Sequence, residues 1–142
     1  GALQAENQQL PHPRPLLLKI APDLTATQID DAVAVAQEHQ LAGLIATNTT
    51  ISREGLQTPP AEVEEIGAGG LSGAPLLAHS TEVLQQISQQ GMPAIGVGGI
   101  LSGADAAAKF QAGARLVQLY TGFIYRGPSL IGEILRARAV LG

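Results

Sequence analysis

The two stretches from which the fold can be worked out are Gly96-Val97-Gly98-Gly99 and Leu119-Tyr120-Thr121-Gly122. Each ends a short apolar run, Ala94-Ile95 before the first and Leu116-Val117-Gln118 before the second, and each is followed by a helical pattern. Glycine lets main-chain N–H groups approach an anion without interference from a Cβ, and a following helix adds the positive end of its dipole. The pair predicts two strand exits that hold a phosphate group. The alternative is that these glycines only form tight turns.

Short apolar runs alternate with helical patterns along the chain, which is typical of an α/β protein with a parallel sheet buried on both faces. Two successive strand–loop–helix units with glycine-rich exits resemble the phosphate site of a (β/α)8 TIM barrel, formed after strands seven and eight. We therefore predict that the chain covers about the C-terminal four βα units of such a barrel. The predicted strands are residues 16–20, residues 43–47, the apolar run that begins at Ala94, and residues 116–120. The predicted helices lie at 25–40, 75–90, 102–113 and from 128 onward. Thr25 with Gln28 fits a capping box at the start of the first, and Ser102 with Asp105 can cap the third.

The domain division places a lead-in segment at residues 1–15 and the half-barrel at residues 16–142. The lead-in is polar and rich in glutamine, and it ends in Pro11, Pro13 and Pro15, which are incompatible with a regular helix at that point. A half-barrel on its own would leave strand edges and an inner face uncovered. The chain is therefore expected to be a fragment.

Composition excludes several classes of function. The chain of 142 residues is 45% hydrophobic and has a formal net charge of −4, with 3% aromatic residues and no basic stripe, so we expect no nucleic-acid partner. The lack of cysteine excludes disulfides, thiolate catalysis and Cys-ligated metals within these residues. We also expect no membrane-spanning or targeting segment, because no apolar run approaches about 18 residues.

The strand ends carry the side chains that could bind a ligand, because functional groups of a barrel gather at the C-terminal ends of its strands. Lys19 lies in an apolar strand, so its ammonium must be paired or solvated, and it could also extend to the rim. Asn48, Thr49 and Thr50 could bind a planar, amide-bearing ligand, or they could form a turn or cap. Tyr120 and Thr121 end the last predicted strand.

The remaining polar groups predict no further site. His12, His39 and His79 lack the spacing of metal ligands with a second histidine or carboxylate, so we expect them at the surface and predict no metal site. Glu62, with its neighbours Glu64 and Glu65, falls in a long connection and is interpreted as a solvated loop face. Connections of this length are usually functional loops or disordered segments.

Five motifs follow one another along the chain, namely Leu18-Lys19-Ile20-Ala21-Pro22-Asp23-Leu24, Gly43-Leu44-Ile45-Ala46-Thr47-Asn48-Thr49-Thr50, Gly69-Gly70-Leu71-Ser72-Gly73, Ile95-Gly96-Val97-Gly98-Gly99 and Leu116-Val117-Gln118-Leu119-Tyr120-Thr121-Gly122-Phe123. In this order they resemble the C-terminal half of the dihydroorotate dehydrogenase family. The resemblance spans residues from about 15 to the end, and the common register of the motifs is specific where each alone would be weak. The nearest subdivision is class 2, which is quinone-linked and membrane-associated, because the Ala-Pro-Asp-Leu and Gly-Phe-Ile-Tyr-Arg-Gly-Pro segments are similar to those enzymes.

This resemblance implies FMN as the cofactor and gives each strand end a role. It implies oxidation of dihydroorotate to orotate in de novo pyrimidine biosynthesis, with electrons passed to a quinone. Asn48 and Thr49 would bind dihydroorotate or orotate. The residues implied to contact FMN are Lys19, Thr47, Ser72 and Gly73 at the flavin, and Gly98, Gly99, Tyr120 and Thr121 at its phosphate.

Two parts of the family pattern have no match in these residues. The proton-abstracting base of class 2 enzymes is a serine in a loop from the earlier half of the barrel, so we assign no catalytic base here and expect the fragment alone to be inactive. The N-terminal helices that contact quinone and membrane are also unmatched. The resemblance implies that the full-length protein is peripheral on the cytoplasmic side of the inner membrane, if bacterial. The alternatives are another FMN- or phosphate-binding TIM-barrel enzyme and a non-catalytic ligand-binding half-barrel.

Overall fold

The computed structural model describes residues 1–142 and contains one four-stranded sheet, seven α-helices and one turn of 3-10 helix. None of the helices combines the length and the apolar character needed to cross a bilayer. In chain order the elements are α1 (Ala2–Gln8), β1 (Leu17–Ile20), α2 (Ala26–Glu38), β2 (Gly43–Ala46), α3 (Pro60–Ile66), the 3-10 turn (Ala74–Leu76), α4 (Leu77–Gln89), β3 (Ala94–Val97), α5 (Gly103–Gln111), β4 (Leu116–Gln118), α6 (Thr121–Arg126) and α7 (Ser129–Val140).

The sheet is parallel throughout and its strand order is β1-β2-β3-β4, so strands that follow one another in the chain are also neighbours in the sheet. The register of the three strands β1 to β3 can be given at Ile45, which pairs with Lys19 on one side and with Ile95 on the other. Since all four strands run in the same direction, their carboxyl ends lie at one edge of the sheet. The predicted alternation of strands and helices in a parallel sheet is confirmed.

The main core lies between the sheet and helices α2 and α4. Helix α2 begins at the predicted capping box, in which the Thr25 hydroxyl accepts from the Gln28 N–H at 3.3 Å and the Gln28 side chain accepts from the Thr25 N–H at 2.9 Å. Burial of the apolar stripes of both helices against β2 and β3 is the main source of stability here. The buried residues of this main core include Ile29, Val33, Leu44, Leu84 and Ile87.

A second, smaller apolar cluster joins α5 to α7 and contains Ile100, Ala106, Leu130 and Ile134. Helix α5 begins at Ser102, whose hydroxyl accepts from the Asp105 N–H at 3.2 Å, as the spacing predicted. This cluster fixes the helices that follow β3 and β4. It therefore holds in place the two glycine-rich exits.

Three short helices were not predicted. Helix α1 lies within the predicted lead-in segment, before its prolines, and the buried Asn7 amide anchors it by two hydrogen bonds to the Arg14 backbone, at 2.8 and 2.9 Å. Helix α3 carries the acidic patch and buries no residue, so it has no apolar period to detect. Helix α6 has six residues, too few for a periodic signal.

The prediction that every strand is buried on both faces is wrong for the two outer strands. Leu17, Leu18 and Leu116 are 39%, 37% and 62% exposed, because β1 and β4 each have only one neighbouring strand in this chain. Strand β4 also ends earlier than predicted, at Gln118. Tyr120 instead occupies the position before the first residue of α6.

Candidate functional site

The exits of the four strands open into one cavity of about 430 Å³. Since the strands are parallel and adjacent, residues that follow them in sequence are brought to the same mouth. Ten residues to which the family resemblance gives a cofactor or substrate role all line this cavity, namely Lys19, Thr47, Asn48, Thr49, Ser72, Gly73, Gly98, Gly99, Tyr120 and Thr121. Thr50, which was grouped with Asn48 and Thr49, does not line it, because it is buried and bonded to Asp23. Two lining residues, Leu76 and Ile100, lie outside the motifs quoted from the sequence. The others belong to those motifs without an assigned role, namely Gly70, Val97, Gln118, Leu119 and Gly122.

The exit of β2 is held by hydrogen bonds to both neighbouring strands. The Thr47 N–H donates to the Val97 carbonyl at 3.0 Å, and the Asn48 N–H donates to the Ile20 carbonyl at 2.8 Å. Thr47 is buried, and its hydroxyl donates to the Asn48 carbonyl at 2.8 Å. The Asn48 side chain is exposed, and its Oδ1 accepts from the Thr49 N–H at 2.9 Å. The Asn48 Nδ2 group has no partner in the chain and is free to donate to a ligand in the cavity, which Asn48 lines.

The long connection after β2 is folded back over the site rather than left open. Thr50 and Leu71 exchange two backbone hydrogen bonds, at 3.1 and 2.7 Å. The carboxylate of Asp23, just after β1, accepts from the Thr50 hydroxyl and from the Ile51 N–H, the latter at 3.2 Å. These bonds fix the segment that carries Ser72 and Gly73 at the rim.

A further hydrogen bond connects that segment to the last strand exit. The Thr121 hydroxyl donates to the Ser72 hydroxyl at 2.9 Å, so residues far apart in sequence meet at the same rim. Ser72 itself is exposed, and its position does not follow from any strand end. The two hydroxyls can also serve a ligand, since each can both donate and accept.

The exits of β3 and β4 present backbone donors that have no acceptor within the chain. This holds for the N–H groups of Gly98, Gly99, Tyr120 and Thr121. Gly98 and Gly99 have φ angles of +109° and +75°, which side-chain-bearing residues rarely adopt. A Cβ added at Gly99 would lie 2.4 Å from the Leu77 Cα, so this loop depends on glycine for both conformation and space.

The electrostatic character of the cavity is positive. Lys19 is its only charged lining residue, and no carboxylate or histidine lines it. The Lys19 side chain is exposed at the mouth, which agrees with a solvated rather than a buried ammonium. A cation together with free N–H groups suits an anionic ligand.

Lys109 is the charged residue that the sequence reading missed. It is 0% exposed, on the buried side of α5 behind the exit of β3. Burial lowers its pKa to about 8, and the nearby Asp105 carboxylate partly opposes that shift. A signal existed, because Lys109 lies three residues after Ala106 and therefore on the apolar stripe of the helix.

The donor set fits FMN at both ends of the cavity. Gly98 and Gly99 form a cradle that a Cβ would fill, and their N–H groups are free for phosphate oxygens. Lys19 in β1 and Thr47 after β2 line the same cavity, and a cation with a hydroxyl suits the polar edge of a flavin ring. A cavity of about 430 Å³ is within the range of ordinary cofactor sites.

Comparisons with known proteins agree on one family. The family model described as dihydroorotate dehydrogenase matches residues 2–138. Among curated relatives named dihydroorotate dehydrogenase (quinone), the protein of Christiangramia forsetii is 54% identical, with 94% of this chain and 39% of that protein aligned. That of Synechococcus is 50% identical, with 98% and 40% aligned, and that of Brucella ovis is 56% identical, with 87% and 34% aligned.

Solved structures give the same result. A structure of DHODH from Eimeria tenella in complex with ferulenol is 41% identical, with a TM-score of 0.78 over 89% of this chain and 34% of that one. A ligand-free structure of DHODH from the same organism is 37% identical, with a TM-score of 0.83 over 99% and 44%. The parallel sheet and its helices are thus part of an α/β TIM barrel, and the chain spans about two fifths of the length of the curated relatives it matches. By its motifs, its fold and these comparisons, the chain belongs to the dihydroorotate dehydrogenase family.

Proposed function

We propose that these residues form the FMN-binding half of a quinone-linked dihydroorotate dehydrogenase that oxidises dihydroorotate to orotate in pyrimidine biosynthesis. The observation that carries the proposal is the convergence in one cavity of a single cation, an amide side chain and backbone N–H groups without acceptors. The curated relatives named above carry the word quinone in their names, which favours class 2. When bound, FMN supplies the chemistry of accepting a hydride and passing electrons on.

The phosphate of FMN is proposed to bind at the exits of β3 and β4. The N–H groups of Gly98, Gly99, Tyr120 and Thr121 would donate to its oxygens, as at other glycine-rich strand exits. Ser72 and Gly73 would contact the flavin from the rim. The hydrogen bond from Thr121 to Ser72 supports this arrangement, because it ties the flavin side of the site to the phosphate side.

The flavin ring is proposed to lie against the exits of β1 and β2. Lys19 would place positive charge beside the ring, where it stabilises negative charge that develops there on reduction. Thr47 would contribute its hydroxyl from a buried, fixed position. These residues orient the cofactor and tune its environment, and they transfer no proton in this proposal.

The substrate is proposed to lie against Asn48 and Thr49. Because the Asn48 Oδ1 already accepts from the Thr49 N–H, the amide group that remains for a ligand is Nδ2, which only donates. A donor of this kind suits the carboxylate or the carbonyl oxygens of dihydroorotate and orotate. The Thr49 side chain lies directly against Gly70, where a Cβ would be 1.9 Å from the Thr49 Oγ1, so its position is set by the neighbouring loop.

The proton-abstracting base is proposed to lie outside these residues. No histidine or carboxylate lines the cavity, so no side chain of an ordinary general base faces the substrate from these residues. We also propose that the full-length protein, if bacterial, acts peripherally at the cytoplasmic side of the inner membrane, since quinones reside in the bilayer. Cell fractionation, with the protein released from membranes by detergent or salt, tests this location.

The visible absorption spectrum of the purified polypeptide that carries these residues tests the cofactor proposal. Bound oxidised flavin makes the protein yellow, and removal followed by titration with FMN should restore the colour at one flavin per chain. A colourless protein that takes up no added FMN refutes the proposal. Uptake of FMN by the full-length polypeptide without oxidation of dihydroorotate would favour a non-catalytic ligand-binding role.

A further inference from the structure

A lysine with no role in the proposed chemistry is buried behind the β3 exit. Lys109 is 0% exposed and donates from its Nζ to the Ser80 hydroxyl at 2.5 Å and to the Leu77 carbonyl at 3.4 Å. Both partners belong to α4, whereas Lys109 belongs to α5. A buried ammonium is costly unless its hydrogen bonds are satisfied, so these contacts define its position.

The hydrogen-bond chemistry gives this contact a direction. An ammonium has no acceptor, so the Ser80 oxygen must accept from Lys109 and the Ser80 proton must point elsewhere. The Leu77 carbonyl, 3.2 Å away, already accepts from Lys109 and from the Thr81 hydroxyl, the latter at 2.6 Å. The remaining acceptor is the Gly98 carbonyl at 3.3 Å, which has no backbone donor.

The Gly98 carbonyl belongs to the same peptide unit as the Gly99 N–H. That peptide is trans, so its C=O and N–H point in opposite directions. A carbonyl directed inward to Ser80 therefore directs the Gly99 N–H outward, away from α4. Hydrogen bonds in a row also polarise one another, which strengthens the outer N–H as a donor.

We propose that Lys109 is a positioning residue that acts through Ser80 to orient the Gly98–Gly99 peptide toward a phosphate in the cavity. This inference rests on the proposed FMN site. Lys109 does not touch the ligand; it donates to Ser80, Ser80 donates to the Gly98 carbonyl, and the Gly99 N–H donates to the phosphate. The lowered pKa of about 8 still leaves most of the side chain protonated at neutral pH, as the direction of donation requires.

The test compares FMN with riboflavin, which carries the same ring without the phosphate. Dissociation constants for both are measured by quenching of flavin fluorescence in the apoprotein of the polypeptide that carries these residues. In Lys109→Met the preference for FMN over riboflavin should fall about tenfold, as for loss of one charge-assisted hydrogen bond. Ser80→Ala should lower it about fivefold while keeping the charge.

Thr81→Ala is the matched control. Thr81 neighbours Ser80 and bonds to the same Leu77 carbonyl, but it makes no bond to Gly98, so the FMN preference should stay unchanged. Riboflavin affinity reports whether the cavity is intact. If Lys109→Met does not fold, Ser80→Ala decides the question on its own.

The outcomes separate this inference from the proposed function. If the unsubstituted protein binds FMN no better than riboflavin, the phosphate site itself is refuted. If it prefers FMN and the folded Lys109 and Ser80 variants keep that preference, the role of Lys109 is refuted. Equal losses for both flavins would also refute it, because they would indicate a loosened cavity rather than a misdirected peptide.

Discussion

Replacing Gly99 with alanine tests whether the β3 exit depends on glycine for space as well as for conformation. A Cβ at this position would lie 2.4 Å from the Leu77 Cα and 2.6 Å from the Leu77 backbone nitrogen. These are backbone atoms at the start of α4, so no side-chain rotation can relieve the overlap. The loop must instead move away from the helix, and its N–H groups must move with it.

Gly55 provides a matched control for this substitution. Its φ angle is +75°, the same as that of Gly99, but an added Cβ would meet nothing within 4 Å. The conformational cost, about 1 kcal/mol for an alanine in this region, is therefore common to both variants. So is the entropic effect of alanine on the unfolded chain. The difference between the variants isolates the steric overlap.

We expect Gly55→Ala to lower the free energy of unfolding by about 1 kcal/mol. Gly99→Ala should lower it by about 2–4 kcal/mol, because overpacking adds about 1–3 kcal/mol. Urea unfolding of both variants, followed by circular dichroism, measures the difference. FMN titration should show lost affinity only for Gly99→Ala. Equal unfolding free energies for the two variants, within about 0.5 kcal/mol, would refute the reasoning.

Two further predictions concern the two lysines. Lys19→Ala should weaken FMN binding by about three- to tenfold or slow flavin reduction, measured by fluorescence titration and stopped-flow absorbance, because an exposed cation contributes a partly screened attraction. Arg14→Ala removes an exposed cation outside the cavity and is the control; unchanged binding and reduction in Lys19→Ala would contradict the role of Lys19. For Lys109, the folded-state pKa of about 8 lies below the ordinary 10.5, so the unfolded state binds more protons between these values and stability rises with pH. The unfolding free energy relative to Lys109→Met should therefore increase from about pH 8 to 10.5, and a flat difference would contradict the burial of a charged lysine.

The strands and the longer helices could be predicted because their apolar spacing extends over enough residues to define a period. Thr25 and Ser102 also marked two helix starts by local hydrogen bonding that needs no tertiary contact. Helices α3 and α6 could not be found in this way, since the first buries nothing and the second has six residues. The exposure of Leu17 and Leu116 depends on which strands lie beside β1 and β4, which local pattern does not specify.

The cavity could be located because parallel strands bring their carboxyl ends together, and this placed Lys19, Thr47 and Gly98 at one mouth. Ser72 could be named only through the family resemblance, because it lies in a long connection with no period. Its contact with Thr121 joins two loops that are far apart in sequence, so only the folded chain reveals it. Lys109 was not predicted as a buried charge, because the apolar residues of α5 defined its buried face and the lysine on that same face was not considered.

The first turn of α4 has a larger part in the site than its sequence suggests. Leu77 supplies the backbone surface on which Gly99 rests, and Ser80 supplies the donor to the Gly98 carbonyl. The two contacts act on the same loop in different ways. The Leu77 backbone leaves no space for a Cβ at Gly99, and the Ser80 hydrogen bond fixes the direction of the Gly98 carbonyl. Gly99→Ala should therefore cost both stability and affinity, whereas Ser80→Ala should cost mainly the discrimination between FMN and riboflavin. The direction in which these backbone N–H groups would donate to a phosphate therefore depends on how α4 packs against the loop that carries them.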